Sequence, residues 1–169
     1  MPKINIDGKE LEFNQGQTII EAAKDNGIEI PNFCWHPKLS VSGNCRICLV
    51  EVEKMPKLVL ACSTIAAEGM VVHTESDKAI SARNAVMEFL LINHPLDCPI
   101  CDEAGECKLQ DYAYQHSVGE SRFVEEKVHK DKRIELGPLV MFDGERCISC
   151  SRCIRFCDEI AKDPELIFV

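Results

Sequence analysis

Eleven cysteines in 169 residues constrain this chain more than any other feature, because so many thiols have to be accounted for by disulfides, by metal, or by both. Met1-Pro2-Lys3 leads straight into an alternating strand, without the charged and then apolar opening of a secretory signal. A reducing compartment is the expected setting, and there thiols are better explained by metal than by pairing. The odd count also works against complete pairing. Val86 to Ile92, the longest apolar stretch near the middle, is interrupted by Glu88 and falls far short of the roughly 20 residues a bilayer span needs. The hydrophobic share of 46% is enough for the cores of one ordinary domain or two small ones. A formal charge of −9 disfavours nucleic acid, and fits either an acidic protein that docks on complementary partners or plain solubility.

Local patterns place the cysteines. Ile4 and Ile6, then Leu11 and Phe13, alternate with polar residues on either side of Asp7-Gly8, which predicts a hairpin. Thr18 with Glu21 predicts a capping box for a helix through Asp25, closed by Asn26-Gly27. A loop punctuated by Pro31 carries Cys34, Cys45 and Cys48, and strands are expected at Leu49 to Glu53, Leu58 to Ala61 and Met70 to Thr74. Apolar positions from Ser76 to Asn93 fall at helical spacing, and His94-Pro95 ends that helix, because the residue before proline avoids the α region. Residues 95–107 form a cysteine-rich loop, followed by a short helix to Gln115. Ser117 to Arg133 is polar, without a period, and reads as a linker. A third cysteine group opens at Cys147, on the lead-in to a helix through about Lys162. No glycine-rich phosphate loop and no repeat beyond the Cys-x2-Cys pairs is found.

The first group is Cys34-x10-Cys45-x2-Cys48-x13-Cys62. Four thiolates offered by a loop beside a sheet and one later cysteine suit a 2Fe-2S rhomb, although the plant-type spacing has four residues in the first gap. The wider loop contains Ser42-Gly43-Asn44, small and turn-forming residues that let backbone N–H groups approach sulfur and so set the potential. A structural zinc site is the alternative. The second group, His94-x3-Cys98-x2-Cys101-x5-Cys107, offers one imidazole and three thiolates, which serve a 4Fe-4S cubane or a zinc ion equally well by type. Replacing one anionic sulfur by neutral nitrogen should raise a cluster's potential. The third group, Cys147-x2-Cys150-x2-Cys153-x3-Cys157, follows the bacterial ferredoxin run except that Asp158 stands where proline is usual. Cys147, Cys150 and Cys153 supply three ligands of a further cubane, and Cys157 is either a local fourth or a free thiol. Trp35 and His36 could shield the first centre but suit packing better, and His73, His116 and His129 lack thiolate neighbours in sequence.

The segments HPLDCPICDEAGECKLQD, from His94 to Asp111, and RCISCSRCIRF, from Arg146 to Phe156, resemble the large iron–sulfur subunit of NADH:quinone oxidoreductase, complex I. Iron-iron hydrogenases, diaphorase subunits of NAD-reducing hydrogenases and NAD-dependent formate dehydrogenases are related to it. The resemblance implies an α+β chain: a β-grasp 2Fe-2S ferredoxin domain over 1–75, a small, mostly helical 4Fe-4S domain with one histidine and three cysteine ligands over 76–116, a connection over 117–140, and the start of a ferredoxin-like 4Fe-4S domain over 141–169. It also implies a non-catalytic relay of single electrons from an NADH/FMN module toward quinone. The expected partners are the flavin-binding and other subunits of a redox complex, lying peripherally on the cytoplasmic or matrix side of a membrane. Relay in a hydrogenase or formate dehydrogenase assembly remains open, as does a zinc-binding interaction protein. In the family the third cluster's fourth thiolate lies beyond Val169, and Leu166-Ile167-Phe168-Val169 reads as an element cut short, so a piece of a longer protein and a natively short one are both expected possibilities.

Overall fold

Ile4 and Ile6 are fully buried, which fixes the face that strand β1, Lys3–Ile6, turns inward. The computed structural model describes residues 1–116 and 119–168; Ser117 and Val118, which open the expected connection, and Val169, which closes the expected last element, lie outside the described residues. β1 turns through Asp7 and Gly8, at φ 51° and 82°, into antiparallel β2, Lys9–Glu12. Positive φ at both central positions matches the twist of the strands and favours the Asp-Gly pair found there. Strands β3, Leu49–Val52, β4, Val59–Leu60, and β5, Val71–His73, complete a five-stranded sheet in the order β2-β1-β5-β3-β4. β1 and β5 run parallel and the other pairs antiparallel.

Helix α1, Ile19–Asp25, lies against this sheet through Ile19, Ile20, Ala22 and Ala23. The Glu21 carboxylate accepts from the Thr18 amide and hydroxyl at 2.8 Å each, the expected capping box. Asn26 and Gly27, at φ 75°, end the helix. Phe13, Ile30, Val50, Val52 and Val72 join the same core, each large side chain adding about 1.5–3 kcal/mol on burial. Trp35 belongs to that core too, under the Lys24 ammonium at 5.2 Å, so packing is its role.

The chain divides into two compact units, Met1–Arg83 with Cys150–Val169, and Asn84–Ser149. In the first, α4, Arg152–Arg155, continues as a π-helix over Phe156–Ala161. Leu166 to Phe168 belong to no helix or strand, so the described part of the apolar end forms no regular element. Helix α2, Asp77–Ile92, starts where the Ser76 hydroxyl and carbonyl accept from the Ala79 and Ile80 amides. Its Arg83 is fully buried, donating to Glu75 at 2.8 Å and to the Thr74 carbonyl.

In the second unit α3, Lys108–His116, buries Leu109 and Tyr112, and a two-stranded ribbon pairs β6, Ile134–Glu135, with β7, Met141–Phe142. The stretch read as a featureless linker has no regular structure up to Arg133, but it is pinned. Arg122 makes a forked pair with Glu88 at 2.7 and 2.6 Å, the Lys127 ammonium donates to the Leu91 and Ile92 carbonyls at 2.7 and 2.9 Å, and the Val128 amide donates to Asn93 at 3.0 Å. The lack of a hydrophobic period is explained by this: side chains meeting the end of α2, not an apolar face, order the segment.

Candidate metal centres

Four sulfurs gather at the edge of the β-sheet core. Cys34, Cys48 and Cys62 are buried and Cys45 is half-buried, all as free thiols. Cys45 and then Cys62 hydrogen-bond to Cys34 and hold its thiol far below the ordinary range, whereas the Cys34 contact pushes the Cys45 thiol up. Cys62 lowers Cys48, and is itself raised by Cys34 and then Cys48. The contacts therefore sort the sulfurs into two pairs, Cys34 with Cys45 and Cys48 with Cys62, joined through Cys34 and Cys62. Four ionised sulfurs would repel one another in this buried space, so binding all four as thiolates calls for cations between them.

Backbone conformation opens the loop toward these sulfurs. Gly43 takes φ 64°, where a Cβ would lie 3.4 Å from Leu60 Cδ1, and Arg46 takes φ 60°. The Cys34 amide donates to Cys45 Sγ at 3.4 Å. The amides of Asn44 and Cys45 reach Cys34 sulfur, and those of Ile47 and Phe33 reach Cys45. N–H groups aimed at thiolate sulfur stabilise its negative charge. Four sulfurs in two contacting pairs, with amides aimed at them, match the four-thiolate donor set that a 2Fe-2S cluster takes.

The second set lies within the second unit. His94 follows the C-terminus of α2, Cys98 opens a 3₁₀ turn over Cys98–Ile100 that Cys101 closes, and Cys107 directly precedes α3. Cys98 is exposed, while Cys101 and Cys107 are half-buried. Burial, with Lys127 adding to it, lowers the His94 imidazole, which favours the neutral form that can donate a nitrogen lone pair. Around it Asp97 accepts from Lys132 and from Arg146 at 3.3 Å. The buried Glu145 accepts from Lys132 at 2.7 Å and from the Lys130 amide at 3.1 Å, and pairs with His129 at 2.9 Å. An imidazole and three thiols match by type the donor set of a histidine-ligated cubane.

The third group is divided: Cys147 lies in the second unit and Cys150, Cys153 and Cys157 in the first. Cys147 sulfur accepts from the Ser149 amide at 3.4 Å, and Cys150 sulfur from Arg152 Nε at 3.5 Å. Cys153, on α4, and Cys157, on the π-helix, line one open groove of about 540 Å³ with Phe156 and Ile160. His73 pairs with Glu53 at 3.1 Å and His116 faces Tyr112 at 6.0 Å between ring centres. Sequence reasoning missed Lys127, Arg146, whose charge reaches Cys101, and Arg155. Only the placement of Arg155 between Cys153 and Cys157 hints at a role.

Residues 2–77 match a family model described as a 2Fe-2S iron–sulfur cluster binding domain. Residues 83–122 match an NADH-ubiquinone oxidoreductase-G iron–sulfur binding region, and residues 137–169 the ferredoxin-like domain of NADH-quinone oxidoreductase subunit 3. The G-type subunit of NADH-quinone oxidoreductase from Rickettsia felis is 52% identical over 167 residues, covering 98% of this chain and 25% of that protein. The mitochondrial 78 kDa subunit of NADH-ubiquinone oxidoreductase from Neurospora crassa is 48% identical over 97% of this chain and 22% of its own length. The chain thus spans about a quarter of the curated relatives it matches. A chain of an NAD+-reducing [NiFe]-hydrogenase, solved in the H2-reduced state, superposes with a TM-score of 0.80 and 31% identity, over 92% of this chain and 65% of that one.

Proposed function

Because this chain matches the N-terminal iron–sulfur region of the G-type subunit of NADH-quinone oxidoreductase, we propose that it relays single electrons from an NADH- and flavin-binding partner toward quinone. The carrying observation is the two sulfur pairs, Cys34 with Cys45 and Cys48 with Cys62, under amides from both sides of the loop. These four residues hold a 2Fe-2S cluster, His94, Cys98, Cys101 and Cys107 a 4Fe-4S cluster, and Cys147, Cys150 and Cys153 part of a second cubane, with Cys157 as a spare or fourth thiol. Such clusters supply one-electron chemistry at a fixed ligand set. The chain's own work is to bury the sulfurs of Cys34, Cys48 and Cys62, favour the neutral form of His94 and aim amides at Cys34 and Cys45. No substrate-binding catalytic residue is assigned.

No helix among the described residues is long and apolar enough to cross a membrane, and we place the chain at the membrane periphery within a larger complex, on the cytoplasmic or matrix side. The likeness to the hydrogenase chain favours a second reading, relay within an NAD-linked hydrogenase assembly. Copurification from native membranes and extracts separates the two. Flavin and quinone-reducing subunits support the first reading, and a nickel-containing partner supports the second.

A further inference from the structure

We propose that Arg155 is a positioning residue for the 2Fe-2S centre, tying its ligand loop to the third cysteine group and setting the potential at which the centre takes up an electron. The inference rests on the relay reading above. Within the first unit, the Arg155 guanidinium donates through Nη2 to the carbonyl of Cys34, a ligand of the first set, and to the carbonyl of Cys150, in the third, at 3.4 Å for the latter. Its Nη1 donates to the Ser40 carbonyl and its Nε to the Ser151 hydroxyl at 3.1 Å. A planar guanidinium with five fixed donors can span two backbone segments in this way, and a lysine ammonium cannot reproduce the fork.

Arg155 does not act alone. Ser151, Arg155 and Glu159 recur every four residues, the spacing of one helix face, and all three meet the loop of the first ligand set. The Ser151 hydroxyl donates to Ser42 at 3.2 Å, and the Glu159 carboxylate accepts from the Ser40 amide at 2.7 Å and from the Ser40 hydroxyl. Opposite charges from this helix therefore both meet the segment that carries Cys34. Reduction makes a cluster more negative, so the cation favours the reduced form and the anion opposes it. Removing Arg155 should lower the potential, and removing the Glu159 charge should raise it. A merely structural clamp would give no such opposition of sign.

The test is an anaerobic redox titration of the 2Fe-2S EPR signal in the full chain and in Arg155→Met, Arg155→Lys and Glu159→Gln variants. The expected result is a downward shift of the midpoint in Arg155→Met, a value near wild type in Arg155→Lys, and an upward shift in Glu159→Gln, with the four cysteine ligands still holding the cluster. Should Arg155→Met fail to take up a cluster, Glu159→Gln still decides: an upward shift supports the proposal, and an unchanged or lowered midpoint overturns it. Unchanged midpoints in all variants, or shifts of the same sign for Arg155→Met and Glu159→Gln, overturn the proposal while leaving the relay reading intact. A wild-type chain without any 2Fe-2S signal rejects the relay reading and this inference with it.

Discussion

The Cys34 amide N–H points at Cys45 Sγ from 3.4 Å, so one proposed ligand's backbone solvates its neighbour's sulfur. Cys45 is thus both a proposed ligand and the acceptor of a backbone hydrogen bond. Replacing it, Cys45→Ala, should abolish the 2Fe-2S EPR signal and leave the signal of the centre on His94, Cys98, Cys101 and Cys107, which belong to the other compact unit. Cys101→Ala should do the reverse. A 2Fe-2S signal that survives Cys45→Ala would remove that residue from the ligand set.

Lys127 bonds the last carbonyls of α2, two and three residues before His94, where a cation also complements the helix dipole. Charge-assisted bonds contribute roughly 1.5–3 kcal/mol when well shielded, and the partial exposure of Lys127 reduces this to about 1–2 kcal/mol. Lys127→Met is expected to lower the thermal midpoint and release iron from the histidine-ligated centre before the 2Fe-2S centre, with Lys127→Arg intermediate. Iron release and melting temperature measured together check this.

Glu145 gives the second unit an acid sensitivity. Lys132, followed by His129, holds its carboxyl down to about 2, against an ordinary 4.5. Because the folded value is the lower one, the stabilisation is fully present above about 4.5 and is lost as pH falls toward about 2. Asp97, lowered mainly by Lys132, acts in the same direction. Thermal melts at descending pH should therefore show a decline below about 4.5 that is shallower in Glu145→Gln, which starts from lower stability near neutrality.

What could be read from the sequence is local. The Asp7-Gly8 turn, the Thr18–Glu21 box and the end of α2 before Pro95 each follow from the chemistry of adjacent residues, and each is present. The approach of amides to sulfur through Ser42-Gly43-Asn44 was legible too, since a small residue at positive φ announces close backbone contact. The pairing of β1 with β5 in particular was not, because it joins residues 66 apart in register, Asn5 with Val71, and no local signal encodes such a crossover. The same holds for the bonds of Arg155 and Glu159 to the loop of Cys34, which join residues over 100 apart in sequence: Ser40 meets Glu159 at a separation of 119. The β6–β7 ribbon gave no sequence signal because its two-residue strands are too short to show alternation.

The central claim is that these cysteines hold iron–sulfur clusters and not zinc. Anaerobic purification of the chain, followed by iron, zinc and labile-sulfide analysis with EPR of the reduced protein, tests it most directly. The account predicts coloured protein with iron and acid-labile sulfide, carrying a 2Fe-2S signal and at least one 4Fe-4S signal. Colourless protein containing zinc alone would contradict it.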